Sequence, residues 1–154
     1  MNKLGFFGDG PWAAKSLNLI MKKTSFKIDF ICLRYSSPDM NLIKIAKKNK
    51  IKLIIEKDIN SSKSFKKIKK YNSDLLVSMS YDQIFGKHIL TNFKKKIINC
   101  HAGLLPSYRG RNVLNWVLIN GEKNFGITVH KVSKLIDQGQ IFDQKIFKIK
   151  QPVV

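Results

Sequence analysis

Short apolar runs alternate with amphipathic segments from the first residues of the chain, and this rhythm restricts its fold more than any other feature. Leu4 to Phe7 reads as a buried strand, and Pro11 to Lys22 as a helix that Pro11 can start. Ile28 to Leu33 is the next strand. Asn41 to Lys48 follows as a helix with Leu42, Ile45 and Ala46 on one side. Lys52 to Ile55 is a short strand, and Ser62 to Tyr71 a lysine-rich helix that Ser61 or Ser62 can cap. Leu75 to Met79 is a strand, Gln83 to Leu90 a short helical segment and Ile97 to Cys100 another strand. Asn112 to Asn120 is a helix closed by Gly121. Ile127 to Val132 and Gln140 to Ile149 alternate like half-exposed strands. Repeated strand-helix-strand units of this length predict an α/β fold, with a mostly parallel sheet covered by helices on both faces. In such folds ligands sit beyond the carboxyl ends of the strands, so chemistry is expected in the loops that follow them.

A chain of 154 residues suits one domain, residues 1–154, with one core. No apolar run reaches the ~20 residues that span a bilayer, so no membrane partner is expected. The apolar start meets Gly8-Asp9-Gly10 too early for a secretory signal. Cys32 and Cys100 are two isolated thiols in apolar runs, which fits a reducing cytoplasm better than a disulfide framework. The formal charge of +19 suggests polyanionic partners. Of the 29 basic residues, however, only Arg34, Arg109 and Arg111 are arginines. The lysines are scattered over several helices and the loop Lys94 to Lys96, as for solvated faces in an AT-rich coding background. Nucleic acid is therefore not the expected partner. Where lysine is the default cation, an arginine marks a need for a planar, bidentate donor, and two of the three fall in Tyr108-Arg109-Gly110-Arg111.

The turn after the first strand, Gly8-Asp9-Gly10-Pro11-Trp12-Ala13, matches a G-x-G-x-x-A dinucleotide fingerprint. The second strand ends in Leu33-Arg34-Tyr35 and lacks the acid that would hold a ribose. Arg34 leaves room for an NADP phosphate, but Pro11 removes a backbone donor that a pyrophosphate would use. A tight strand-to-helix turn is the plainer reading.

Asn99 and His101 stand two apart at the end of a strand, so both side chains share one face and Cys100 takes the other. An amide and an imidazole in one cleft mouth suit acyl transfer to an amine. The amide donates to a developing oxyanion, and the imidazole accepts or shuttles a proton. His88 reads as a surface residue and His130 as a packed or half-exposed strand residue. The three histidines lack zinc-site spacing, and no metal is expected. Asp137, between two predicted strands, is a turn aspartate unless the fold brings it to His101. There a carboxylate would favour imidazolium and orient the ring.

Three ordered motifs carry a resemblance: Asn99-Cys100-His101-Ala102-Gly103-Leu104-Leu105-Pro106, then Gly126-Ile127-Thr128-Val129-His130, then Leu135-Ile136-Asp137-Gln138-Gly139. Together they resemble the folate-dependent formyltransferases, which include methionyl-tRNA, glycinamide ribonucleotide and sugar-nucleotide enzymes. The resemblance spans nearly the whole chain. It implies a Rossmann-like sheet and a catalytic trio of Asn99, His101 and Asp137. It also implies 10-formyltetrahydrofolate as donor. The pterin would lie in a cleft lined by Ser80, Tyr81, Gln83, Ile84 and Phe85 after the fourth strand, and by Ile136 beside the aspartate. The stretch Arg109 to Glu122 looks most like the sugar-nucleotide enzymes, including the UDP-4-amino-4-deoxy-L-arabinose formyltransferase. That implies an amino-sugar nucleotide as acceptor, with Arg109 and Arg111 as substrate contacts. The basic insertion of the tRNA enzymes has no counterpart after the second strand, where Arg34-Tyr35-Ser36-Ser37-Pro38-Asp39 leads directly to the next helix. Family catalytic domains run longer than this chain. The resemblance therefore implies a domain lacking its C-terminal end, and a homodimer is one way to complete it. Three other readings stay open. One is a tRNA formyltransferase relative, another an inactive folate- or nucleotide-binding remnant. The third is an NADP-binding module resting on Gly8, Gly10 and Arg34.

Overall fold

The computed structural model describes residues 2–93 and 96–150. Lys94 and Lys95 of the expected lysine loop lie outside the described residues. The chain divides into two compact units, Met1–Ile98 and Asn99–Val154. The fold class is the expected one, a mostly parallel sheet flanked by helices. No helix among the described residues is long and apolar enough to cross a membrane.

The first unit holds β1 (Lys3–Gly8), α1 (Gly10–Lys23), β2 (Lys27–Leu33), α2 (Met40–Lys48), β3 (Lys52–Ile55), α3 (Ser62–Lys69), β4 (Leu75–Met79) and α4 (Lys87–Asn92). Its strands pair in parallel in the order β3-β2-β1-β4. A parallel strand covered on both faces must be apolar throughout, and Leu4 to Gly8 are all buried. Phe6, Phe7, Phe30, Leu17, Ile31 and Leu42 are fully enclosed, each contributing roughly 1.5–3 kcal/mol by leaving water. Gly5 is what admits Phe30: a Cβ there would stand 2.4 Å from the Phe30 ring.

Local chemistry sets the helix starts. Pro11 occupies the first turn of α1. Asp39 caps α2 by accepting from the Leu42 N–H at 2.8 Å, and Ser61 caps α3 by accepting from the Ser64 N–H at 3.2 Å. One expected helix is displaced: α4 begins at Lys87, not at Gln83. Residues 83–86 are instead tied to the segment before α3. The Ile59 N–H donates to Gln83 Oε1 at 2.8 Å, and the Gly86 N–H donates to Asn60 Oδ1 at 2.6 Å. These tertiary bonds satisfy the backbone without a helical turn.

The strand order reverses direction of growth between β1 and β4, which makes their carboxyl ends the topological switch point. The Asp9 N–H donates to the Met79 carbonyl there at 3.3 Å.

β5 (Ile97–His101) begins in the first unit and ends in the second. The second unit continues with α5 (Val113–Ile119), β6 (Asn124–Lys131) and β7 (Ile141–Lys148). β6 and β7 pair antiparallel. β6 alternates as expected, with Gly126, Thr128 and His130 buried. β7 does not: all eight of its residues are exposed, where half-exposure was expected.

Candidate active site

The second unit gathers the polar residues of three segments. β5 delivers Asn99 and His101, β6 delivers His130, and the connection from β6 to β7 delivers Asp137. His101 Nδ1 lies 3.5 Å from Asp137 Oδ2, and His130 Nε2 lies 3.4 Å from Asp137 Oδ1. Asn99 Nδ2 lies 3.3 Å from His130 Nε2. The three residues singled out in the sequence are thus brought together, and His130 links the amide to the carboxylate.

Each ring nitrogen can be read from its neighbour. His101 Nε2 is 2.6 Å from the Tyr108 carbonyl, which only accepts, so this nitrogen donates. Its Nδ1 faces a carboxylate oxygen, which also only accepts. The site therefore complements an imidazolium at His101. His130 Nδ1 is 2.9 Å from the Lys131 carbonyl and donates to it. Its Nε2 is left between a donor, Asn99 Nδ2, and an acceptor, Asp137 Oδ1. A neutral His130 accepts from Asn99; a protonated one donates to Asp137.

Asp137 is held by backbone as well. Its φ of 51° lies in the left-handed region, which Asp tolerates better than most residues. The Gly110 N–H donates to its Oδ2 at 2.9 Å. Burial alone would raise its pKa, but the His130 contact, the Gly110 N–H and the charges of His101 and His130 together hold it below the usual 3.8. A depressed carboxylate stabilises the fold fully above its ordinary value, and that contribution is lost as pH falls through the lowered one. Urea midpoints of Asp137→Asn should therefore lie below wild type at neutral pH. The gap should close in acid below the ordinary carboxylate range; a gap independent of pH would contradict the assignment.

A buried hydroxyl secures the loop after β5. Thr128 Oγ1 donates to the Gly103 carbonyl at 2.7 Å and accepts from the Leu105 N–H at 3.2 Å and from Gln144 Nε2 at 3.0 Å. Gly103 has little room for a side chain, since a Cβ would stand 2.7 Å from His101 Nε2. The loop thus seats the imidazole by close backbone approach.

The other expected residues are placed as follows. Arg109 and Arg111 are exposed and flank Gly110, so the hydrogen bond from Gly110 to Asp137 fixes the arginine stretch to the histidine cluster. Ile136 is exposed beside Asp137. Ser80, Tyr81, Gln83, Ile84 and Phe85 belong to the first unit. Phe85 is buried and edge-on to Phe7, with ring centroids 4.9 Å apart, and Tyr81 packs on both rings. Tyr81 Oη meets Cys32 Sγ at 3.5 Å; burial pushes the Cys32 thiol up to about 12 and the phenol upward too. Gln83 is engaged with Ile59 and with the Glu56 carbonyl. These residues anchor the loop, and Ile84 is the apolar side chain that it exposes. Ser80, at φ 57°, makes its opening turn. In the Gly8-Asp9-Gly10 turn, Arg34 Nη2 pairs with Asp9 Oδ2 at 2.8 Å. The guanidinium considered for an NADP phosphate is met by the chain's own carboxylate.

Sequence reasoning passed over His130. Its signal was the strand alternation itself: Thr128 and His130, two polar residues on one face of β6, are both buried. His88 is exposed, as expected. Among the described residues no group of three or more His, Cys, Asp or Glu side chains is arranged to hold a metal ion.

Comparison with known proteins gives this geometry a context. A family model described as formyl transferase matches residues 3–152. The bifunctional polymyxin resistance protein ArnA of Wigglesworthia glossinidia brevipalpis is 42% identical over 104 residues, 68% of this chain and 16% of that protein. The methionyl-tRNA formyltransferase of Finegoldia magna is 30% identical over 160 residues, 99% of this chain and 52% of that protein. Among solved structures, WlaRD is described as a sugar 3N-formyl transferase in the presence of dTDP and 5-N-formyl-THF. It superposes with a TM-score of 0.74 at 27% identity, over 97% of this chain and 53% of that one. The chain thus spans about half the length of the second and third of these proteins and far less of the first.

Proposed function

The chain belongs to the formyl transferase family, and on that premise we propose that it moves a formyl group from 10-formyltetrahydrofolate to the amine of an amino-sugar nucleotide. The observation that carries the reading is the convergence of Asn99, His101 and Asp137 through His130. Asn99 donates its amide hydrogen to the formyl oxygen as the acceptor amine adds and negative charge builds there. With its Nε2–H bonded to the Tyr108 carbonyl, a neutral His101 accepts at Nδ1 the proton that the amine must lose. Asp137 orients that ring and stabilises the imidazolium formed by the transfer, from a position fixed by the Gly110 N–H. His130, by donating to Asp137, releases the Asn99 amide toward the substrate.

The acceptor class is supported by WlaRD, whose description names both a sugar substrate and a formyl-folate. Arg109 and Arg111 offer planar forks for a nucleotide diphosphate next to the cluster. The two free thiols suit the cytoplasm, where such sugar nucleotides would be modified. A second reading takes charged initiator tRNA as acceptor. The similarity to methionyl-tRNA formyltransferases over nearly the whole chain and the charge of +19 favour it.

One assay separates the two. The chain is given 10-formyltetrahydrofolate with dTDP- and UDP-linked 3-amino and 4-amino sugars, and in parallel with methionyl-tRNA. Formylation of a sugar nucleotide, and not of the tRNA, is expected. Formylation of tRNA alone would replace the sugar reading. Folate binding without turnover of any acceptor would make the chain a binding remnant.

A further inference from the structure

The His101–Asp137 pair is held by the backbone of the segment that precedes α5. The Tyr108 carbonyl meets His101 Nε2 at 2.6 Å, and the Gly110 N–H meets Asp137 Oδ2 at 2.9 Å. The two peptide groups that flank Arg109 thus touch the two members of the pair. Yet Pro106, Ser107, Arg109 and Gly110 are exposed, and no helix or strand runs through them. The anchor is the Tyr108 side chain. Its hydroxyl donates to Glu122 Oε1 at 2.6 Å and accepts from Asn120 Nδ2 at 3.2 Å. Both partners belong to the closing turn of α5. There Gly121, at φ 65°, lets the Glu122 N–H donate to the Val117 carbonyl at 3.1 Å, while its own N–H donates to the Leu118 carbonyl at 3.0 Å. This paired closure fixes the backbone of Glu122. The Glu122 hydrogen bond also holds the phenol above its ordinary range, so the hydroxyl remains a donor at alkaline pH. On the other side, a Cβ on Gly103 would stand 2.6 Å from the Tyr108 carbonyl oxygen and 2.7 Å from His101 Nε2. The missing side chain is what lets carbonyl and ring meet.

What this contact decides is a tautomer. A neutral imidazole carries one N–H, and His101 faces an acceptor at each nitrogen. The carboxylate, at 3.5 Å, draws the proton to Nδ1; the carbonyl, at 2.6 Å, draws it to Nε2. Two opposed lone pairs are far harder to tolerate at the shorter distance, so the closer contact wins and Nδ1 is left bare. We propose that Tyr108 is a positioning residue: latched by Glu122, it holds its carbonyl against His101 and keeps the neutral ring in the Nε2–H tautomer. The catalytic meaning of this latch rests on the formyl-transfer reading, in which Nδ1 takes the proton of the amine. With the latch released, the carbonyl withdraws and the ring proton moves to Nδ1 against Asp137. The nitrogen that must accept is then already occupied.

Nitrogen-15 NMR of the full chain with labelled histidine, recorded above the titration of His101, reads the tautomer directly. The His101 signals are those missing from His101→Gln. The wild-type ring should carry its proton on Nε2. Tyr108→Phe and Glu122→Ala should each move it toward Nδ1. Each should also lower kcat for formyl transfer about tenfold, with the folate KM within about twofold of wild type. The double variant should be no worse than either single one, because both remove the same latch. Glu122→Gln keeps an acceptor oxygen and should bring back the Nε2–H signal lost in Glu122→Ala. Tyr108→Phe removes one oxygen from a part-exposed ring, so its thermal midpoint should stay near wild type. A wild-type proton on Nδ1, or variants that leave it on Nε2, would overturn the latch whether or not any acceptor is formylated. Turnover with a tautomer unmoved by Tyr108→Phe would overturn the latch and leave formyl transfer standing. A tautomer that moves, in a chain that formylates no acceptor, would support the latch and defeat the formyl-transfer reading instead.

Discussion

Asn99→Ala is expected to lower kcat for formyl transfer by about 10²–10³, with a much smaller change in KM. The amide at this position donates to an oxygen whose negative charge exists only while the amine is adding. Its loss therefore falls on the transition state and not on binding. Fold damage should be small. Asn99 is half-buried, alanine fits the space, and its amide nitrogen meets the His130 Nε2 ring nitrogen and no backbone group among the described residues. Asn99→Asp should be no better, because it keeps the shape but offers an acceptor close to the carboxylate of Asp137. The comparison that isolates the donor is kcat against thermal midpoint. The alanine variant should melt close to wild type while turning over hundreds of times more slowly. A variant that keeps wild-type kcat to within about threefold would remove Asn99 from the oxyanion role. His130→Ala gives a second reading, since it frees the amide but removes a contact to Asp137. A loss there that deepens on one side of the pH profile would point to the ring's charge as the active property. A uniform loss would point to packing alone.

How much of this was legible in advance differs between the two halves of the chain. Strands that must be apolar on both faces announce themselves, so β1, β2 and β4 could be read directly from the sequence. The start of α4 could not. It depends on Gln83 and Asn60 finding partners about 25 residues apart along the chain, and a local pattern has no access to such bonds. The period of two in β5 put Asn99 and His101 on one face, but nothing in the composition places Asp137 against His101. That contact needs the connection after β6 to fold back on the loop before α5, and only the ordered motifs hinted at it. His130 was hidden for a related reason. A lone histidine in an alternating strand reads as filler until its neighbours across the turn are known. β7 was misjudged because alternation suggests one covered face, whereas the covering of a sheet edge is a tertiary property.

That fold-back gives the second large effect, on stability. Gly139→Ala should cost at least about 3 kcal/mol. A Cβ on Gly139 would stand 1.7 Å from the Lys131 carbonyl oxygen and 2.8 Å from its carbon. These are backbone atoms of the last residue of β6, where the Lys131 N–H also donates to the Gln140 carbonyl at 2.8 Å. No rotamer change can relieve the overlap, so the connection itself must open. Gly121→Ala is the matched control. Its φ is 65°, but nothing lies within 4 Å of the added atom. It should cost only the left-handed strain, roughly 1 kcal/mol. The two alanines thus separate crowding from backbone conformation, and urea midpoints in one buffer measure the difference. Asp137 lies two residues before Gly139, so opening the connection also withdraws the carboxylate from His101. Whatever fraction of Gly139→Ala remains folded should then show a reduced kcat, whereas Gly121→Ala should turn over like wild type. Equal midpoints for the two variants would mean that the connection does not close on the end of β6, and the placement of Asp137 would lose its structural support.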